Sequence, residues 1–188
     1  MAKMNKYTVI DQVLSKSTFQ ELKILLQAQN FPYYFAPSSD GMDGIPMFCH
    51  ILVQNNEVNS PAWEPTQEIL QPMFKKVKNE TGFNVVLRTK INMYLNYGEQ
   101  KLMGIHTDFP NSDIDYKTAV LNLTTCDGFT ALIIEDEEIV IPSKENQLIL
   151  FDGDIPHYGA TSTDTQNRLL INFDFLKENN EDQSSNST

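Results

Sequence analysis

No apolar run in this 188-residue sequence approaches the roughly 20 residues that cross a bilayer as a helix. The longest, such as Ala131-Leu132-Ile133-Ile134, are strand-sized, so no membrane association is expected. The opening Met1-Ala2-Lys3-Met4-Asn5-Lys6 is basic but is followed by no apolar signal core, and a cytoplasmic location is the expectation. Two cysteines, Cys49 and Cys126, are too few for a disulfide framework and fit no zinc spacing. Both read as plain buried or half-buried thiols. Basic residues are scarce as well: 14 Lys and Arg stand against 25 Asp and Glu, a formal charge of −11. Capture of nucleic acid depends on Lys and Arg, which disfavours it as a partner. Lys75, Lys76 and Lys78 crowd one predicted helix and read as a solvated face.

What is present suits a folded protein. Hydrophobic residues make up 40% of the chain, enough for one core, and the length fits a single domain over residues 1–177. Residues 178–188, Glu-Asn-Asn-Glu-Asp-Gln-Ser-Ser-Asn-Ser-Thr, contain nothing apolar and are expected to be a disordered tail. Lys6 to Ile10 reads as a short strand. Thr18-Phe19-Gln20-Glu21 has the form of a capping box, and Phe19, Leu22, Leu25 and Leu26 at helical spacing predict a helix over 18–29. A second helix is expected from Thr66 to Asn79, with Gly82 as its stop and Pro72 bending or splitting it. Trp63, the sole Trp, reads as a core or helix-packing residue.

After Phe83 the pattern changes to short β-rich segments: 84–96, 102–108, 117–125, 129–134, 137–142, 147–151 and 168–176. Turn residues such as Asp127-Gly128 and Asp152-Gly153 separate many of them. The fold class expected is mainly β with flanking N-terminal helices, the strands forming an antiparallel sandwich or barrel. Residues 36–46 and Phe109 to Tyr116 are expected to be surface loops able to cover a substrate.

The chemistry concentrates in Gly104-Ile105-His106-Thr107-Asp108. At strand periodicity His106 and Asp108 point the same way and can share an ion. A second imidazole is available at His157, in Phe151-Asp152-Gly153-Asp154-Ile155-Pro156-His157. Two His and one carboxylate leave metal positions open, which suits Fe(II) that must also bind a chelating cosubstrate and dioxygen. Arg168 opens the run Arg-Leu-Leu-Ile-Asn-Phe-Asp-Phe. An Arg inside an apolar strand must meet an anion, either a protein acid or a ligand. Arg88, Lys90, Asn92 and Tyr94 alternate with Thr89, Ile91 and Met93, so one strand face is polar. That face meets either solvent or a liganded cavity. His50, the remaining histidine, reads as structural or solvent-facing.

From about Asn92 to Phe175 the chain resembles the double-stranded β-helix (jelly-roll or cupin-like) core of the Fe(II)/2-oxoglutarate-dependent oxygenases. The resemblance is nearest to their prolyl-4-hydroxylase-like branch, phage and marine bacterial members included. The matching signs run in order: Asn92-Met93-Tyr94, His106-Thr107-Asp108, Ala119 to Leu123, Asp127-Gly128-Phe129-Thr130, Val140-Ile141-Pro142, Leu150-Phe151, His157 and Arg168. Asp127 stands where the family's turn has its first Gly, and the helical N-terminal part matches only loosely. The resemblance implies a core over about 84–176 and iron held by His106, Asp108 and His157 as the catalytic centre. It implies that Arg168 and Tyr94 bind the far carboxylate of 2-oxoglutarate, with Asn92 and Asn172 as further cosubstrate contacts. Dioxygen would be the second cosubstrate, and retention of Asp108 implies hydroxylation or demethylation, since related halogenases leave that ligand out. The substrate implied is a prolyl, peptidyl or free amino-acid side chain, or another small molecule. Two alternatives stand beside this: a non-catalytic cupin-like binding module, and a nucleic-acid demethylase. The acidic balance and the lack of a second suitably placed Arg oppose the latter.

Overall fold

A computed structural model describes residues 6–39, 43–110 and 113–178. The tail beyond residue 178 lies outside the described residues. Strand β1 (Tyr7–Asp11) leads into helix α1 (Lys16–Leu26), then β2 (Tyr34–Ala36), β3 (Met47–Gln54) and β4 (Glu57–Val58). Helix α2 (Trp63–Thr81) precedes the long β5 (Phe83–Leu95). There follow β6 (Tyr116–Asn122), β7 (Phe129–Ile134), β8 (Glu137–Pro142), β9 (Gln147–Asp152), β10 (His157–Gly159) and β11 (Asn167–Lys177).

Both helices start earlier than their apolar pattern suggests. In α1 the cap is Ser15, not Thr18: the Ser15 Oγ accepts from the Thr18 N–H at 3.1 Å. The Thr18–Glu21 box therefore falls inside the first turns, and the helix ends at Leu26 instead of residue 29. Helix α2 runs unsplit past Pro72, which is exposed, so water can take the carbonyl that proline leaves without a donor. It ends where expected. Gly82 adopts φ 78° and returns its N–H to the Lys78 carbonyl, a left-handed closure that costs glycine nothing.

Among the described residues the strands form two antiparallel sheets. The larger has the order β1-β9-β6-β11-β5-β3-β2, with β4 added at β3; the smaller has the order β10-β7-β8. Period-two patterning decides which side of the large sheet faces what. On β11, Leu169, Ile171, Phe173 and Phe175 join Ile91 of β5 and pack under Leu22, Leu26, Leu70, Met73 and Val77 of the two helices. Each of the fully buried aliphatic side chains contributes about 2 kcal/mol by leaving water. The alternate residues face the space between the sheets, where Val120, Leu132, Ile149, Phe151 and Leu170 make a second apolar cluster. In the β5–β11 register Arg168 lies opposite Tyr94, Leu170 opposite Asn92, Asn172 opposite Lys90 and Asp174 opposite Arg88. The polar face of β5 is thus turned inward, toward a cavity and away from bulk solvent.

One expected strand is absent. Residues 102–108 meet β10 only through two isolated bridges, Leu102 with Ala160 and His106 with His157. Between those bridges the first segment has one residue more than the second, so a regular ladder cannot form. Four strands escaped the sequence pattern: β2, β3, β4 and the three-residue β10.

A candidate metal centre and its pocket

The two bridges place the candidate ligands. The backbone N–H and C=O of His106 and His157 bond to each other at 3.0 and 2.9 Å. Each ring is then turned by its own neighbourhood. The His106 Nδ1 donates to the Gly104 carbonyl at 2.9 Å, and the His157 Nδ1 donates to the Ile155 carbonyl at 3.1 Å. Occupying both Nδ1 atoms fixes the tautomer and leaves both Nε2 atoms as free lone pairs. Asp108 completes the group: its carboxylate oxygens lie 4.0 Å from the His106 Nε2 and 3.7 Å from the His157 Nε2. One ligand atom from each of the three falls within 4.8 Å of the others. The His157 Nε2 is buried and has no hydrogen-bond partner. A buried lone pair without a partner is costly, and a divalent cation among two nitrogens and one oxygen would relieve it. The donor set therefore fits Fe(II).

The protonation states also fit. Burial opposes charge on Asp108, but Arg88, His157 and His106 outweigh it and hold the carboxyl down at about 2. Burial pulls the His157 imidazole below its ordinary range, against the opposite pull of Asp108. An ionised carboxylate and a neutral imidazole are the forms that bind metal.

Behind Asp108 lies a network that sequence inspection missed. The Arg88 guanidinium pairs with Asp108 through one nitrogen and, through Nε at 2.7 Å, with Asp174. Thr118 donates to Asp174 at 2.9 Å or to Asp108 at 3.3 Å. Asp174 is fully buried. Burial and the neighbouring Asp108 push its carboxyl up to about 7, and Arg88 pulls the other way. A raised acid favours the folded state most at low pH. In the metal-free protein the Asp174 contribution to stability is therefore lost as pH rises from about 4, the unfolded value, to about 7, while His157, held below its ordinary range, contributes in the opposite sense. Asp174→Asn should flatten that decline, as measured by urea denaturation across the range.

Away from the metal centre the pocket narrows on Arg168, which is 1% exposed. Its Nη2 donates to the Thr130 hydroxyl at 2.9 Å, and its Nη1 to the Ala160 carbonyl at 3.3 Å; its Nε has no partner. No carboxylate among the described residues pairs with it. Burial lowers its pKa, yet a guanidinium stays charged in proteins. Glycine at 128 makes room for it: a Cβ there would stand 2.8 Å from the Arg168 Cδ and 2.9 Å from the Ala160 carbonyl oxygen. Tyr94 is buried nearby, and burial pushes its hydroxyl up, keeping it a neutral donor. Asn92 and Asn172 both line the pocket, each with a buried Oδ1 that has no partner.

The cavity these groups line measures about 530 Å³, well within the range of small-molecule sites. His106, Asp108, His157, Arg168, Tyr94, Asn92 and Asn172 all border it, so the structure brings every expected site residue to one place. Thr130, noticed in the sequence only as part of a turn, joins them as the partner of Arg168. From the two loops Ser38, Ser39 and Pro110 contribute. His50 does not. It is buried on the helix side of β3, its ring 5.3 Å from Phe31 and 5.5 Å from Tyr34.

No family model matches the sequence, and no curated protein matches it either. Solved structures do match in shape. A Burkholderia pseudomallei oxidoreductase of the 2OG-Fe(II) oxygenase family superposes with a TM-score of 0.74 at 13% identity, covering 93% of this chain and 86% of that one. A prolyl hydroxylase from Trichoplax adhaerens, in complex with a hypoxia inducible factor peptide fragment, gives 0.68 at 16% identity, with 93% and 84% covered. A Pseudomonas putida prolyl-4-hydroxylase gives 0.63 at 14%, with 92% and 93% covered. The chain thus has the double-stranded β-helix fold of these oxygenases, prolyl hydroxylases among them. Also, no helix among the described residues is long and apolar enough to cross a membrane.

Proposed function

We propose that the chain, as one domain over residues 1–177, is an Fe(II)- and 2-oxoglutarate-dependent dioxygenase that hydroxylates a small organic or peptide substrate. The observation that carries this reading is the convergence of His106, Asp108 and His157 on one point, in the same cavity as a buried guanidinium that no carboxylate among the described residues neutralises. Fe(II) there, chelated by 2-oxoglutarate, would supply activation of dioxygen, with decarboxylation to succinate and CO₂ and delivery of one oxygen atom to a substrate C–H bond.

The chain's own residues do the rest. His106, Asp108 and His157 hold the metal and leave positions beside it open. Arg168, with Thr130 and Tyr94, orients the far carboxylate of the cosubstrate by charge-assisted hydrogen bonds. The reach is suitable: Gly159, whose Cβ position lies 3.0 Å from the Arg168 Nη1, is two residues beyond His157 on the same extended strand. Asn92 and Asn172 offer further polar contacts along the wall. Arg88 and Thr118 fix the rotamer of Asp108, so the carboxylate is oriented before any ligand arrives.

Anaerobic addition of Fe(II) and then 2-oxoglutarate should produce the visible charge-transfer band of the chelated metal, and admission of air should release succinate. A folded sample that gives neither would end this reading. A band without turnover in the presence of any candidate substrate would favour a binding module on the same fold.

A further inference from the structure

Three cations line the cavity, Arg88, Lys90 and Arg168, in a chain whose formal charge is −11. Two of them have their anions. Arg88 lies between Asp108 and Asp174, and Arg168 faces the place assigned to the cosubstrate's far carboxylate. Lys90 is left over. It is half-buried and makes no hydrogen bond or ion pair with any described residue. The acids nearest to it in effect, Asp108 and Asp43, act on it only through space, and their oxygens are already engaged. Those of Asp43 accept from Ser38, Ser39 and the Ile45 N–H; those of Asp108 face Arg88, with the Thr118 hydroxyl as a donor shared with Asp174.

Its position is informative too. Lys90 stands two residues along β5 from Arg88, the partner of Asp108, and four from Tyr94, which lies opposite Arg168. Lys90 therefore belongs to the metal end of the cavity, one strand step from Arg88 on the same face, and not to the end that holds the cosubstrate's far carboxylate. Across the β5–β11 pair it faces Asn172, whose Oδ1 is buried without a partner. An ammonium half-enclosed with no counter-ion among the described residues loses hydration without return. Its burial pulls the pKa down, which accords with a charge short of a partner. The cavity, about 530 Å³, is larger than a five-carbon diacid requires and leaves space beside the metal.

We propose that Lys90 docks a carboxylate of the oxidised substrate, which makes that substrate a small free acid, amino acids among them, and not an internal residue of a polypeptide. The proposal rests on the Fe(II)/2-oxoglutarate reading of the same cavity. A single negative charge is the better match for the site: one ammonium is available, and the fields of Asp43 and Asp108 would oppose a doubly charged phosphate.

The test is calorimetry on the protein loaded with Mn(II) and 2-oxoglutarate. The titrants are the standard amino acids and short carboxylic acids, each beside its carboxamide, with organic phosphates as a third arm. An acid should bind at least about tenfold more tightly than its amide. Lys90→Met should bring the acid down to the level of the amide, and Lys90→Arg should restore most of the difference. Equal binding of acids and amides, preference for phosphates, or no binder in the panel would overturn the proposal. So would a weakened 2-oxoglutarate titration in Lys90→Met, because it would place the lysine on the cosubstrate. If the wild type takes up neither metal nor 2-oxoglutarate, the underlying reading falls as well. Normal uptake of both without discrimination between acid and amide removes the substrate assignment alone.

Discussion

Arg168→Met is expected to raise the 2-oxoglutarate concentration at half-maximal charge-transfer absorbance by about two to three orders of magnitude, the usual cost of removing one partner of a desolvated charge pair. Among the described residues the buried guanidinium has only neutral partners, Thr130 and Ala160 at bonding distance, with Asn122 at the 3.5 Å limit. That arrangement yields a second, less obvious outcome. A lone buried charge is a burden until its anion arrives, and exchange for an apolar side chain of similar length relieves it. Without ligands, Arg168→Met should therefore melt at the same temperature as wild type or higher. With Fe(II) and 2-oxoglutarate the order should reverse, because both proteins gain from the metal but wild type gains far more from 2-oxoglutarate, about 2.7 kcal/mol at a hundredfold excess over its Kd. A variant that keeps wild-type affinity for 2-oxoglutarate would remove Arg168 from the cosubstrate site.

Asp108→Ala is expected to abolish succinate release and weaken metal binding by more than about 100-fold, since the loss of even an outer-sphere partner costs 10- to 100-fold. Metal content after anaerobic dialysis is the direct measure. The fold should survive the change. Arg88 keeps Asp174 as its partner, so no buried cation is stranded; burial, the larger cause of the raised Asp174, stays, but the second cause, the neighbouring Asp108 charge, is removed. Asp174 should consequently titrate lower in the variant, which NMR of its carboxyl carbon can follow. Retention of stoichiometric iron in Asp108→Ala would show that the ligand set has been misassigned.

Much of this was legible in the chain itself, for reasons that differ from residue to residue. His106, Asp108, His157 and Arg168 stood out because each is a polar group set in an apolar or turn context with a chemical role that demands it. The inward face of β5 was visible as alternation, although alternation alone left open whether it met solvent or a cavity. The register with β11 closed that question. Strand β3 was missed because Met47 to Val53 is almost continuously apolar, and β10 because three residues carry no period. The segment 102–108 was read as a strand from its place in a β-rich series, but backbone pairing depends on residue counts in both partners, and only one of them is local. Ser15 and Thr18 are equivalent hydroxyls by composition; the position of the first turn chooses between them. The Arg88–Asp174 pair spans 86 residues, beyond the reach of local pattern. One clue was available, since Asp174 lies an even number of residues from Arg168 and so shares its face.

The reciprocal main-chain bonds between His106 and His157 carry a kinetic consequence. If these two rings are the ligands, their tether through their own amides means that they need no rearrangement when a cation enters, so capture should be limited by shedding of water from the ion. Uptake should then follow a single exponential whose rate tracks the water-exchange rate of the cation offered, fastest for labile ions and slowest for inert ones.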